Sequence, residues 1–176
     1  MFWKISNYLS VEARKIFCNS YILPYLDYCC TIWGNTTQAN LSKLFRLQKY
    51  AARLIFSDFD SPSNLLFKHL DWLPFHLRIE YNKLILVYKS LSGLAPQYMS
   101  DRLKFVSKNQ YCTRSALSDQ LYIPKFRTEL FKKSLVFSGA KLWNHLPNNI
   151  KSCGSLNKFK HLCFQFLNRQ WQNSLR

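Results

Sequence analysis

Only four glycines and six prolines occur in this chain, and long stretches between them are free of both. Tight turns depend on residues that reach positive φ or hold φ near the turn value. A chain this poor in them lacks the closely spaced turns of a sandwich or barrel. Helices are what remains. The apolar fraction is 48%, with 14 Phe, 10 Tyr and 5 Trp, enough to offset the ordering entropy that leaves polar chains unfolded. A length of 176 residues suits one domain or one and a half.

Helical periodicity places the elements. Ser10 caps a helix from Val11 to about Trp33, with Glu12 in its first turn. Pro24 should kink or split it, leaving Tyr25–Trp33 as a second piece that Gly34–Asn35 ends. Ile16, Phe17, Ile22, Leu23, Leu26, Ile32 and Trp33 surround most of this helix, which therefore reads as core. Asn40 caps a second helix, Leu41–Phe56, with Leu41, Leu44, Phe45, Gln48, Ala51, Ala52 and Ile55 on one side. Ser61–Pro62 opens a short helix through Leu70, with Pro62 as its first helical residue. After the joint Asp71–Pro74 comes Phe75–Leu91, with Leu77, Tyr81, Leu84, Ile85, Tyr88 and Leu91 along one side and Gly93 as its stop. Pro96 opens a further short helix through about Leu103.

The text then changes. Lys104–Asp119 is polar and aperiodic, a loop. Gln120–Ile123 reads as a short strand ended by Pro124, and Val136–His145 as a short helix or a strand-to-helix turn, closed by Pro147. Ser155 caps the last helix, Leu156 to about Trp171, whose buried side is Leu156, Phe159, Leu162, Cys163, Phe166 and Leu167.

Charge narrows the function. Lys plus Arg is 25 against 9 for Asp plus Glu, a net +16, and the self-repulsion this costs is relieved by a polyanionic partner. In the helix Leu41–Phe56 the cations Lys43, Arg46, Lys49 and Arg53 form a stripe with no acidic residue to pair with. Such a stripe is either a solvated face or one that follows phosphates. A second cluster, Lys125, Arg127, Lys132 and Lys133, is interleaved with Phe126 and Phe131. Aromatics between cations suit stacking on nucleic acid. The commoner arrangement has both phenylalanines facing the core.

No reaction chemistry stands out. Of the six cysteines, Cys18, Cys29 and Cys30 lie in apolar helical text and read as small buried hydrophobes. The opening MFWKISNYLS lacks a signal peptide's apolar region. A reducing nuclear or cytoplasmic compartment is expected, and no apolar run has the length of a membrane span. Cys153, His161 and Cys163 lack the paired spacing of a zinc site. Asp58-Phe59-Asp60 has no third carboxylate for a two-metal centre and fits an ordinary turn. The four histidines sit in unrelated contexts, and neither a nucleophile elbow nor a phosphate-cradling glycine loop is present. No catalytic residue, metal or cofactor is expected.

Three ordered blocks carry a resemblance. The first is SYILPYLDYCCTIWGN at Ser20–Asn35 with LFRLQKYAARLI at Leu44–Ile55. The second is LDWLPFHLRI at Leu70–Ile79 with VYKSLSGLAPQY at Val87–Tyr98. The third is FSGAKLWNHLP at Phe137–Pro147 with SLNKFK at Ser155–Lys160. In this order they resemble the carboxy-terminal part of the polyprotein of jockey-like, non-LTR (LINE-type) retrotransposons, the reverse-transcriptase thumb and the segment beyond it. The resemblance spans essentially the whole chain. It implies a truncated remnant of an RNA-directed DNA polymerase, with endonuclease, fingers and palm upstream and Met1 about where the thumb begins. The palm's magnesium-binding Asp-Asp pair has no counterpart here, so no polymerase residue carries over and the chain by itself is not expected to be an enzyme.

The fold then expected is mainly α: a thumb-like helical bundle over residues 1–103, a polar loop over 104–119, and an extension over 120–176 with at most a short strand pair. The partner expected is an RNA–DNA or DNA duplex backbone, held without regard to sequence, with possible contact to a palm domain or host protein. Two alternatives stand beside it. One is a protein-interaction module docking through exposed aromatics, Trp72 and Trp143 among them; the other is a relic open reading frame with no function.

Overall fold

The computed structural model describes residues 4, 8–106 and 119–175. Most of the loop read over Lys104–Asp119, with Lys108, Cys112 and Arg114, lies outside the described residues. The protein is mainly α, and divides into two compact units, Met1–Ile79 and Glu80–Arg176. The helices read as one bundle over 1–103 are distributed over both units.

In the first unit, α1 (Val11–Phe17) starts where Ser10 accepts a hydrogen bond from the Ala13 amide at 3.2 Å. It continues as a π-helical turn, Cys18–Ile22, into α2 (Leu23–Asp27). Pro24 explains the turn: it has no N–H for the carbonyl four residues back, and its ring would collide with it. Widening to the π form moves the following bonds back by one residue, as in the Leu23 amide bonding the Cys18 carbonyl. The break comes later than expected, at Tyr28–Cys29, where Cys29 has φ 50° and α3 (Cys30–Trp33) follows.

The core reading of this region holds in part. Cys18, Leu23, Leu26 and Cys30 are buried, whereas Cys29, Ile16 and Ile32 are exposed. Tyr21, Tyr25 and Tyr28 are exposed as well, at 61%, 81% and 76%. A helix with apolar residues nearly all round does not itself decide how many of its sides find neighbours.

The long helix α4 runs Gln38–Phe56, beginning earlier than Leu41 because nothing after Thr37 opposes helical geometry. Asn40 is therefore not a cap; its amide lies in the first turn and donates to the Thr36 hydroxyl at 3.1 Å. Gln48, Ala51, Ala52, Leu54 and Ile55 are buried, and α4 packs on α1 and on α5 (Ser63–Leu70). Pro62 occupies the N-cap position of α5, one place before the one expected. Ahead of it Asp58 accepts from the amides of Asp60 and Ser61 at 3.1 and 2.9 Å, the turn its side chain suits. Trp72 is 4% exposed and donates its indole N–H to Asn19 Oδ1 at 3.0 Å.

The helix α6 (Phe75–Leu91) has the bounds expected. Its first residues belong to the first unit, where Arg78 makes a two-point ion pair with Asp27. From Glu80 it belongs to the second, with α7 (Gln97–Ser100), α8 (Glu129–Lys132), α9 (Leu135–His145), α10 (Asn148–Lys151) and α11 (Leu156–Ser174). Gly93 ends α6 at φ 69°, and the Leu94 amide closes onto the Lys89 carbonyl at 2.8 Å. The buried side of α6 includes Ile79, Leu84, Val87 and Tyr88, and Leu77, Tyr81, Ile85 and Leu91 are only half-buried. Aromatic stacking fixes this core: Tyr88 on Phe159 at 4.2 Å and Trp143 on Phe159 at 6.0 Å.

Pro96 precedes α7 as expected, but α7 is a single turn, shorter than the helix through Leu103. The strand read over Gln120–Ile123 is, among the described residues, one antiparallel bridge between Phe105 and Leu121. The side chain of Asn144 takes the place of a further strand: it accepts from the Leu121 amide at 2.8 Å and donates to the Leu121 carbonyl at 2.9 Å. Trp143 is 3% exposed and bonds the Asp119 carbonyl at 3.1 Å, so neither tryptophan is an exposed docking aromatic. Ser155 holds the N-cap position of α11 without a side-chain bond, and Phe159, Cys163, Leu167 and Trp171 form the buried stripe.

Candidate nucleic-acid interface

Helical geometry turns the spacing of Lys43, Arg46, Lys49 and Arg53 into a face. At about 100° per residue the four fall within an arc of about 120°, centred opposite Gln48, Ala51, Ala52 and Ile55. Burial agrees with that geometry: Lys43 and Arg46 are exposed, Lys49 and Arg53 half-buried. Among the described residues no carboxylate lies at ion-pair distance from any of the four.

The four are not equivalent. Lys49 sets its ammonium 4.3 Å from the centre of the Phe45 ring, an attraction that holds it close to the helix surface. Arg53 has a buried Nε with no hydrogen-bond partner. Its charge also helps to hold the Asp58 carboxyl below the usual range, after the larger effect of hydrogen bonding to Ser61. Lys43 and Arg46 are the cations free to meet a phosphate.

Arg14 faces the same helix but serves the fold. Its guanidinium donates to the carbonyls of Leu54 and Ile55 at 3.3 and 3.1 Å, satisfying oxygens that the C-terminus of α4 leaves open. Nothing local in the sequence marks this role, because the partners are far along the chain. Lys83 and Lys151 are likewise buried. Burial pushes the Lys151 ammonium down, and the nearby Asp119 charge partly offsets it.

The second cluster lies in the second unit. Lys125 and Arg127 are exposed on the non-helical stretch before α8, and Lys133 is exposed at its end. Lys132 is half-buried, 2.9 Å from the Glu129 carboxylate and 4.6 Å from the Phe126 ring centre. Phe126 and Phe131 do not enter the core; both are exposed at one side, with Phe126 edge-on to Phe137 at 5.2 Å.

The remaining candidates resolve structurally. Cys18 and Cys163 are buried thiols pushed up to about 11 and about 12 by desolvation, which keeps them protonated and unreactive. Cys18, Cys29, Cys30, Cys153 and Cys163 are all unbridged. Among the described residues no group of His, Cys, Asp and Glu is placed to hold a metal ion. No helix of the described residues is long and apolar enough to cross a membrane. Comparison with protein-family models, curated protein sequences and solved structures returns no match for this chain.

Proposed function

We propose that this chain grips the sugar–phosphate backbone of a template–primer duplex, the non-catalytic role of the thumb and following segment in a non-LTR retrotransposon reverse transcriptase. The observation that carries the reading is the outer face of α4, where Lys43 and Arg46 stand exposed and unpaired by carboxylates. A helix presenting cations along one side, and backed by a packed core, meets phosphates without reading bases. An A-form-like hybrid is held in this way, by shape and charge. On this reading the chain's own residues bind and position the duplex rather than cleave or join it.

The test is fluorescence anisotropy with an RNA–DNA hybrid. Lys43→Glu with Arg46→Glu should weaken binding about tenfold or more at physiological salt, with the far-UV circular dichroism melt unchanged. Equal affinity in the double variant removes α4 as the interface. Arg53 is a poorer site for charge reversal than the sequence indicates, because its half-buried position ties it to folding.

A second reading, docking onto a protein partner, is favoured by a different observation. Tyr21, Tyr25 and Tyr28 are all exposed on the first unit, and no Lys or Arg occurs from Ile16 through Ser42. A largely apolar stretch without cations suits protein contact better than phosphate contact. Sedimentation velocity decides it: self-association that Tyr25→Lys and Tyr28→Lys abolish supports docking, and a monodisperse wild-type monomer at high concentration counts against it.

A further inference from the structure

Within the second unit a cavity of ≈ 680 Å³ opens among α6, α9 and α11, large enough for a small organic ligand. Its lining is of two kinds. Phe137, Leu142 and Phe166 supply apolar wall, and Lys132, Lys141 and His145 supply positive or protonatable groups. His145 Nδ1 lies 2.7 Å from the Lys141 carbonyl. A carbonyl only accepts, so Nδ1 carries a proton and Nε2 is the ring's remaining polar atom. One carboxyl, Glu80, also lines the wall; burial pushes its pKa up, against a smaller pull from Lys83. An anion there meets a carboxyl that takes up a proton more readily than usual.

The cavity borders the basic, aromatic segment through Lys132. Lys132 and Phe137 both line it, while Lys132 lies over the Phe126 ring and Phe137 is edge-on to the same ring. A ligand that used only the cavity would have no use for the exposed Phe126 or for Lys125 and Arg127. A strand of alternating phosphates and bases would use them all, with one nucleotide inside and its neighbours stacked outside.

We propose that the cavity binds one nucleoside phosphate at the end of a single-stranded nucleic acid lying along Lys125–Lys133, its base against Phe137, Leu142 and Phe166 and its phosphate with Lys141 and Lys132. The ligand's class rests on the nucleic-acid reading above, but the site is independent of α4.

The test uses the full chain. Adenosine monophosphate is titrated calorimetrically, and an azido-adenosine monophosphate is photo-cross-linked and its attachment mapped by mass spectrometry. Expected are cross-links to peptides containing Phe137, Leu142 or Phe166, and at least tenfold weaker binding both of adenosine without its phosphate and by Lys141→Glu. Leu142→Trp should fill the cavity and abolish binding; should it fail to fold, the exposed Lys141→Glu still decides. Terminally phosphorylated oligothymidylate should displace the mononucleotide, identifying the strand end as the source. Displacement failing while the mononucleotide binds overturns the strand and leaves a free-nucleotide site. No mononucleotide binding, equal binding by Lys141→Glu, or cross-links confined to other peptides overturns the site itself. Lys43→Glu with Arg46→Glu should keep mononucleotide affinity, so failure of the duplex grip and failure of the cavity are read separately.

Discussion

Cys29 holds φ at 50°, in the left-handed region where a Cβ crowds the following carbonyl at a cost of about 1–2 kcal/mol. Glycine reaches that region freely but loses more entropy on folding, so Cys29→Gly should stabilise by about 0.5–1 kcal/mol net, read from denaturant midpoints. Sequence text could not single this residue out, since Cys29 and Cys30 read alike and only packing buries one and exposes the other. Glu80 carries a pH signature. Burial raises its carboxyl above the ordinary 4.5, Lys83 opposing. The folded state therefore binds the proton more tightly than the unfolded one. The stability this contributes is complete below the unfolded value and is lost as pH rises through the raised one. Glu80→Gln stays neutral throughout. Its thermal midpoint should exceed wild type's at neutral pH, with the difference vanishing below about pH 4.

At the scale of elements, local signals placed several boundaries and missed the departures that depend on distant partners. The Ser10 cap and the full span of α6 were legible, because capping oxygens and helical periodicity act over a few residues. The π turn before Pro24 was not, since a proline announces a disturbance without saying how the helix absorbs it. The C-terminus of α4 depends on Arg14. Arg14→Ala should cost about 1–2 kcal/mol in a chemical melt, because two carbonyls lose a charged donor. Between α6 and α9 the close approach is made by Gly139, where an added Cβ would lie 2.8 Å from Val87 Cγ2. Gly139→Val should destabilise by about 2 kcal/mol or more through overpacking, seen as a lowered thermal midpoint.

For the molecule as a whole, charge is the property with the longest reach. If the outer face of α4 meets phosphates, the logarithm of hybrid affinity should fall linearly with that of salt concentration. Lys43→Glu and Arg46→Glu should each make the slope shallower by about 0.9, measured by anisotropy across a salt series. A slope unchanged in both variants would place the counterion release elsewhere. Composition and periodicity determined by themselves that the chain is helical, strongly basic and striped with cations along the second long helix, since these are properties of residue order. Tertiary structure decided the rest. It left Lys43 and Arg46 exposed while drawing Arg53 partly inward, turned Phe126 and Phe131 outward, and buried Trp72 and Trp143. It alone brought Lys132, Lys141 and Phe166 around one cavity. Spacing along a helix specifies a direction around its axis. Whether that direction meets water or another helix is settled only by how the elements pack.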